Sequence, residues 1–236
     1  MNYTVFPWIF EVNPEVRFGI VVGRGLKNGP TSAEDEKMLA VAEAGLRDHL
    51  DHPDGAGLKE HPDIAVYRDA LRRAGINPNK FTNSVEGMGK RVTKGQSLPR
   101  INALVDLCNV IALRHVVSLG GHDLADIDAD LEVRRTVEGD RFLPFGAEEF
   151  ENVPAGELVF TAGKTIQTRQ WLWRQSELGK MTTDTTDVFF QLVGFAGDHL
   201  SKLEGAMQDL KDLIGSRFDG SSTSFMVEPE RPSIEF

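Results

Sequence analysis

Cysteine is almost missing from this chain: Cys108 is the single one in 236 residues. No intrachain disulfide can form, and no CxxC motif is present for zinc or thiol–disulfide chemistry. Cys108 reads as a small buried hydrophobe. No apolar run reaches the roughly eighteen residues that a bilayer demands, so no membrane association is expected. The start, "MNYTVFPWIFEVNPE", lacks a basic segment and a small-residue cleavage site. No signal peptide is read there, and a cytoplasmic protein is expected. HExxH, the Walker loop and the Gly-x-Ser-x-Gly elbow are all absent, and "GRGLKNG" lacks the Lys-Ser/Thr ending of a phosphate loop. His49, His52, His61, His115, His122 and His199 show no metal spacing, so neither metal nor cofactor is expected; His49 and His52 read as a solvated cluster, and His115 as a hydrogen-bonded core histidine. Positive charge is also scarce. The chain holds 26 basic against 36 acidic residues, net −10. That is a poor match to nucleic-acid phosphates in general, and no DNA binding is expected.

The imbalance is uneven. Between His61 and Arg100 eight basic residues face three acidic ones, a net charge of +5. That stretch is either a solvated pair of helices or a patch able to meet phosphates, with Arg72, Arg73, Lys90 and Arg91 as the candidates. A hydrophobic content of 40% supports a real core, and the length suits one domain over 1–236.

"RFGIVVGRGLKNG" reads as a strand ended by a glycine turn. Thr31 and Glu34 make a capping-box pattern before a helix whose apolar face is Met38, Ala42, Leu46 and Leu50. "DHPDGAG" breaks it. Ile64, Tyr67, Leu71 and Ala74 mark a second helix stopped by Gly75, and Asn83 with Glu86 could cap a third. A fourth follows Pro99, placed in its first turn, and is apolar nearly all round. Asn102, Asp106 and Asn109 are spaced four and three apart on it, a polar stripe that must meet partners. It is either an internal network fastening a loop or the wall of a pocket. Next come short β-like runs, "LEVRRTV" and "ELVFTAG", then a buried strand, "TTDVFFQLVGF". Leu200, Leu203, Met207, Leu210 and Ile214 mark a last helix, and "PERPSIEF" a packed or loose tail. Helices first and strands after them give an α+β fold.

"TRQWLWRQSE" concentrates Trp171 and Trp173 beside Arg169, Arg174 and Gln175. The alternation fits a strand with both indoles on one face and sharing one fate. It equally fits a wall that stacks a base or another planar group, with an arginine on phosphate. His122–Asp123, after a glycine turn, is a titratable pair or a tether made by Asp123.

"KFTNSVEGMGKRVTKGQSLPRINALVDLCNVIALR", "GGHDL", "RFLPFG", "GELVF" and "RQWLWRQSE", in that order, resemble the tRNA-binding and editing domain of the phenylalanyl-tRNA synthetase beta subunit in a free-standing form. The resemblance covers about 64–192, with 1–63 and 193–236 as flanking elements. It implies a central mixed or antiparallel sheet flanked by helices, with a cleft between the helical and strand-rich parts. It also implies tRNA or aminoacyl-tRNA as partner, and hydrolysis of tyrosine wrongly esterified to the tRNA for phenylalanine. For that hydrolysis the catalytic candidates are His122 or Asp106 to orient a water and Asn109, with Asn102 and the backbone N–H groups of "LGGHD", as donors for the oxyanion. Asn102, Asp123, Arg169, Trp171, Trp173, Arg174, Gln175 and Gln191 would bind substrate. Gly120 stands where the family has a histidine, and Gln191 where it has a glutamate that recognises the tyrosine hydroxyl. A non-catalytic RNA binder and an amino-acid binder on the same scaffold are the competing functions. The sequence sets no oligomeric state.

Overall fold

The computed structural model describes residues 1–51 and 57–236; His52 and the expected break after Asp51 fall outside them in whole or part. Strand β1 (Asn2–Val5) leads through the short helix α1 (Pro7–Val12) into β2 (Val16–Arg24), which ends at Gly25 with φ +66°. Helix α2 (Ala33–Leu50) starts one residue later than the Thr31–Glu34 pattern implies. Ser32 and Asp35 form the reciprocal capping box, each side chain accepting from the other's backbone N–H. Its buried stripe is Leu39, Glu43, Leu46 and Leu50, rotated from the expected face, and Met38 is exposed. Glu43 turns inward because its carboxylate accepts from Leu98 N–H at 2.8 Å and from Arg100 at 2.9 Å.

Helix α3 (Pro62–Arg73) buries Ile64, Tyr67 and Leu71. The chain then turns through Gly75 at φ +82°, a conformation that glycine adopts without strain. Asn83 caps α4 (Ser84–Thr93) by accepting from Glu86 N–H. The Glu86 carboxylate does not reciprocate. It takes the guanidinium of buried Arg68 at 2.7 and 2.9 Å. Helix α5 (Ala103–His115) begins at Asn102, not in the turn of Pro99, because the Asn102 side chain accepts from Val105 N–H.

The remaining elements are β3 (Ser118–Asp123), β4 (Leu131–Arg135), β5 (Arg141–Phe142), β6 (Glu151–Asn152), β7 (Leu158–Ala162), β8 (Thr165–Arg169), β9 (Arg174–Gln175), β10 (Val188–Phe195), α6 (Leu200–Phe218), β11 (Ser221–Val227) and β12 (Ser233–Glu235). One sheet is antiparallel, in the order β11-β2-β10-β3. The other is mixed, β12-β1-β4-β7-β8-β5-β6 with β9 on β8, since β1–β4 and β5–β8 are parallel. The fold is therefore α+β. The C-terminal tail is packed: it adds β12 to β1, and Ile234 is buried.

Strand β10 is buried throughout, and its alternation divides the core. Val188, Phe190 and Leu192 pack with Val21 against Leu39, Leu107, Leu203 and Leu210 of the helices. Phe189 and Val193 pack with Phe18 and Ile20 against Tyr3, Val133, Phe160 and Trp171 of the mixed sheet. The antiparallel sheet thus lies between a helical layer and a second sheet, with β3 on its edge.

Candidate functional site

The site follows from register on that edge. Gln191 pairs with Gly120 and Phe189 with His122, so all four positions address the mixed sheet. Gly120 and His122 are two apart on β3 and share its face, which keeps the histidine on the side where Gly120 leaves room. A Cβ on Gly120 would stand 3.6 Å from His122 Nε2. A cleft of about 90 Å³ opens here, where the start of α4 meets the edge of the two sheets. Ser84 forms one wall, Ser118, Gly120, His122 and Gln191 the floor, and Thr168, Trp171, Trp173 and Gln175 the other wall. Among the described residues no Asp, Glu, Lys or Arg lines it.

His122 is 2% exposed and packs edge-on against Phe160 at 4.9 Å. Burial lowers its pKa to about 4, and nearby Gln167 pulls weakly the other way. Gln167 makes no hydrogen bond of good geometry with either amide atom. The imidazole is thus neutral at pH 7. Gln175 hydrogen-bonds Gly121 O at 2.9 Å and reaches His122 Nδ1 only at 3.5 Å. Gln191 is held by Tyr3, whose hydroxyl donates to its Oε1 at 2.8 Å. The Ser84 and Ser118 hydroxyls meet at 3.0 Å. Tyr3, Ser84, Ser118 and Thr168 escaped the sequence reading. Nothing in "NYTV" marks a tyrosine that will reach a residue 188 positions away.

The two tryptophans do not share one fate, and they do not alternate on a strand. After β8 the chain turns through Gln170 at φ +47° and Trp171 at φ +63°, two consecutive left-handed non-glycine residues. Such strain persists only where the surroundings over-determine it. The turn buries Trp171 completely against Phe18 and leaves Trp173 36% exposed. Trp173 stands edge-on to Phe81 at 4.9 Å, and Lys80 covers Phe81 at 5.0 Å. Trp171 Nε1 is buried without a hydrogen-bond partner among the described residues.

Other expected site residues lie elsewhere. Arg169 is clamped by Glu157 at 2.9 and 2.6 Å, with Glu151 at 3.6 Å, so its guanidinium is committed within the protein. Asp106 is fully buried; it accepts from Thr31 Oγ1 at 2.6 Å and from Ile101 N–H at 3.0 Å. Asn102 joins Asn28 and Met181 O. Asn109 is half-buried and outside this network. The stripe therefore fastens loops and does not line the cleft. Asp123 is a tether: it accepts from Ala125 N–H at 2.9 Å and Thr185 Oγ1 at 2.5 Å. In the basic segment, Arg68 is buried on Glu86, Arg72 pairs with Asp69, and Lys90 pairs with Glu86. Arg73, Lys80, Arg91, Lys94 and Arg174 carry no ion pair among the described residues. Of these, Lys80 covers the Phe81 ring that stands against Trp173, and Arg174 follows Trp173 in sequence.

Two further features stand apart. His49, His61 and Asp63 bring potential ligand atoms within 4.8 Å of one another. His49 is therefore not simply solvated: it meets buried Asp63 at 2.7 Å, and Lys202 neutralises the same carboxylate. His115 bonds Asp209 at 2.9 Å. A roomier depression of about 880 Å³ lies between α2 and the end of α5, lined by Met38, Val41, Ala42 and Leu113. Its lining is mainly apolar but also carries Glu34, Lys37, His49 and Arg114, so it differs from the uncharged cleft. Among the described residues no helix is long and apolar enough to cross a membrane.

An α+β domain with a small uncharged cleft at the edge of two sheets is the class these observations define. The family model of the B3/4 domain matches residues 66–219, which carry α4, α5, the cleft strands β3 and β10, and α6. The chain belongs to the B3/4 domain family, the domain found in the phenylalanyl-tRNA synthetase beta subunit, and is a synthetase-related domain. Among solved structures it is similar to an N-terminal fragment of the phenylalanyl-tRNA synthetase beta subunit from Pyrococcus horikoshii, with 12% identity and a TM-score of 0.43 over 96% of this chain. The chain spans about half of that fragment, 54%. No curated protein matches it.

Proposed function

We propose that the cleft receives the aminoacylated 3′ end of a tRNA and hydrolyses the ester that joins the amino acid to the ribose. The observation that carries this reading is the combination of a neutral, buried His122 with hydrogen-bonding side chains in an uncharged cleft, on a domain of this family. An aminoacyl ester is already activated. Its hydrolysis needs a positioned water and donors for the oxyanion more than it needs a nucleophile. His122 can accept a hydrogen bond from that water as it adds to the carbonyl carbon. The Ser118 hydroxyl is a donor on the floor. The C–O bond to the ribose then breaks, the ribose oxygen takes the proton, and free amino acid and tRNA leave. Asp106 and Asn109 have no part in this step, because neither borders the cleft.

Outside the cleft, Trp173 and Phe81 offer a half-exposed platform for the terminal adenine, and Lys80 and Arg174 flank it for phosphates. Such a protein would work in the cytoplasm, downstream of a synthetase that makes errors. The test is release of labelled amino acid from a panel of mischarged tRNAs, beside a salt titration of tRNA binding. Turnover of one or more mischarged tRNAs supports the reading. Tight tRNA binding without turnover leaves a non-catalytic binder, and failure of both removes the proposal.

A further inference from the structure

Resting on that reading, we infer that the cleft selects a small, uncharged aminoacyl group carrying a hydrogen-bond acceptor, a hydroxylated side chain of serine or threonine size, and that Gln191 is the residue that selects it. Three observations converge. The first is size. The cleft holds about 90 Å³. A dry, closed cavity of roughly 150 Å³ is what holds benzene, so this open cleft does not enclose a phenyl or phenol ring as it does a smaller side chain.

The second is the direction of the hydrogen bonds. Gln191 is 6% exposed, and its carbonyl oxygen is occupied by the Tyr3 hydroxyl at 2.8 Å. That bond fixes the amide plane. Gln191 Nε2 has no partner among the described residues, so what the side chain offers the cleft is a donor. In the same wall the fully buried Trp171 indole nitrogen also lacks a partner. A buried donor left unpaired, as the indole nitrogen is among the described residues, is costly, and a ligand that supplies an acceptor recovers that cost. A hydroxyl oxygen accepts from Gln191, which leaves His122 for the water and Ser118 for the oxyanion.

The third is charge. With no carboxylate, ammonium or guanidinium lining it among the described residues, and an imidazole that burial keeps neutral, the cleft desolvates an acidic or basic side chain without compensation. A site built to hydrogen-bond a substrate hydroxyl also rejects the analogue that lacks it, because its own donors are then stranded. Alanyl and valyl groups therefore bind less well than seryl and threonyl ones. Tyr3 is a positioning residue here: it acts through the orientation it imposes on Gln191.

The experiment uses 3′-deoxy-3′-aminoacylamino-adenosines, which cannot be hydrolysed, in calorimetric titrations with the whole protein. Seryl and threonyl analogues are expected to bind about tenfold more tightly than the alanyl analogue, with no measurable tyrosyl binding. Gln191→Glu replaces the donor with an acceptor and should abolish the seryl-over-alanyl preference. Tyr3→Phe frees the amide to rotate and should reduce the preference while leaving Gln191 in place, and melting curves verify that both variants fold. A tyrosyl analogue that binds as tightly as the seryl one overturns the inference, as does an unchanged preference in a folded Gln191→Glu protein. If no analogue binds while mischarged tRNA is still deacylated, this inference falls and the functional reading stands. If analogues bind with the expected preference but no tRNA is deacylated, the reverse holds.

Discussion

Removing the imidazole of His122 should change how stability depends on pH, and the direction follows from where the ring sits. It is almost fully buried between the two sheets, against Phe160, and among the described residues no carboxylate lines the cleft beside it. The folded protein therefore resists the proton, and its pKa falls from 6.5 to about 4. The unfolded chain takes that proton as pH drops below 6.5, while the folded chain does not. Stability should thus be fully present above that value and decline between pH 6.5 and about 4. The slope approaches 1.4 kcal/mol per pH unit, for a total of about 3 kcal/mol. In His122→Asn this decline should vanish. The lowered Asp63 carboxyl, where Lys202 and His49 outweigh burial, acts near and below the ordinary carboxylate range and is common to both proteins. The assay is urea unfolding of wild type and variant at half-unit steps from pH 7 to 4.5. Parallel curves for the two proteins, or an imidazole resonance that titrates near 6.5, would refute the reasoning.

Trp173→Ala should cost about 1 kcal/mol of stability or less, whereas Trp171→Ala should cost about 3–5 kcal/mol, because only Trp171 is fully buried; chemical denaturation of both variants separates them. Arg68→Met leaves the Glu86 carboxylate, 0% exposed, without its main partner, and should cost about 3–5 kcal/mol. Arg68→Met with Glu86→Gln should recover part of that loss, and a double variant no more stable than the single one would show that the charge is not the cause. Reversing Lys80 and Arg174 should weaken tRNA binding and flatten its dependence on log salt by roughly one unit per lost phosphate contact. An unchanged slope would move the RNA to another surface.

Periodicity served well where burial is one-sided or complete. The alternation around Phe189 and Phe190, the apolar face of α6 and the glycine stop after α3 all follow from local pattern. It failed where a polar side chain turns inward to serve a distant backbone. Glu43 rotates α2 because it serves Leu98 and Arg100, and no local pattern carries that information. The indole alternation misled for a related reason. Two consecutive left-handed residues break the strand between Arg169 and Arg174, and sequence offers no glycine there to announce it. Two of the three residues of the polar stripe of α5, Asn102 and Asp106, find the partners that a buried polar group needs, and loops supply them. In the cleft, His122 and Gln191 were reachable from the sequence through the family resemblance. Their joint position on one face depends on the register of β3 with β10, which only the fold reveals.

Gly120 offers the most direct test of the central claim. Its Cβ position has no neighbour closer than His122 Nε2 at 3.6 Å, and its backbone is not left-handed, so a β-branched residue suits the strand. Gly120→Val would fill the cleft beside the imidazole without disturbing the core. Single-turnover deacylation of a mischarged tRNA that the wild type hydrolyses should fall by about a hundredfold or more in this variant, with an unaltered melting temperature and unaltered tRNA affinity at the rim. A folded Gly120→Val protein that deacylates at the wild-type rate would place the chemistry outside this cleft and contradict the account.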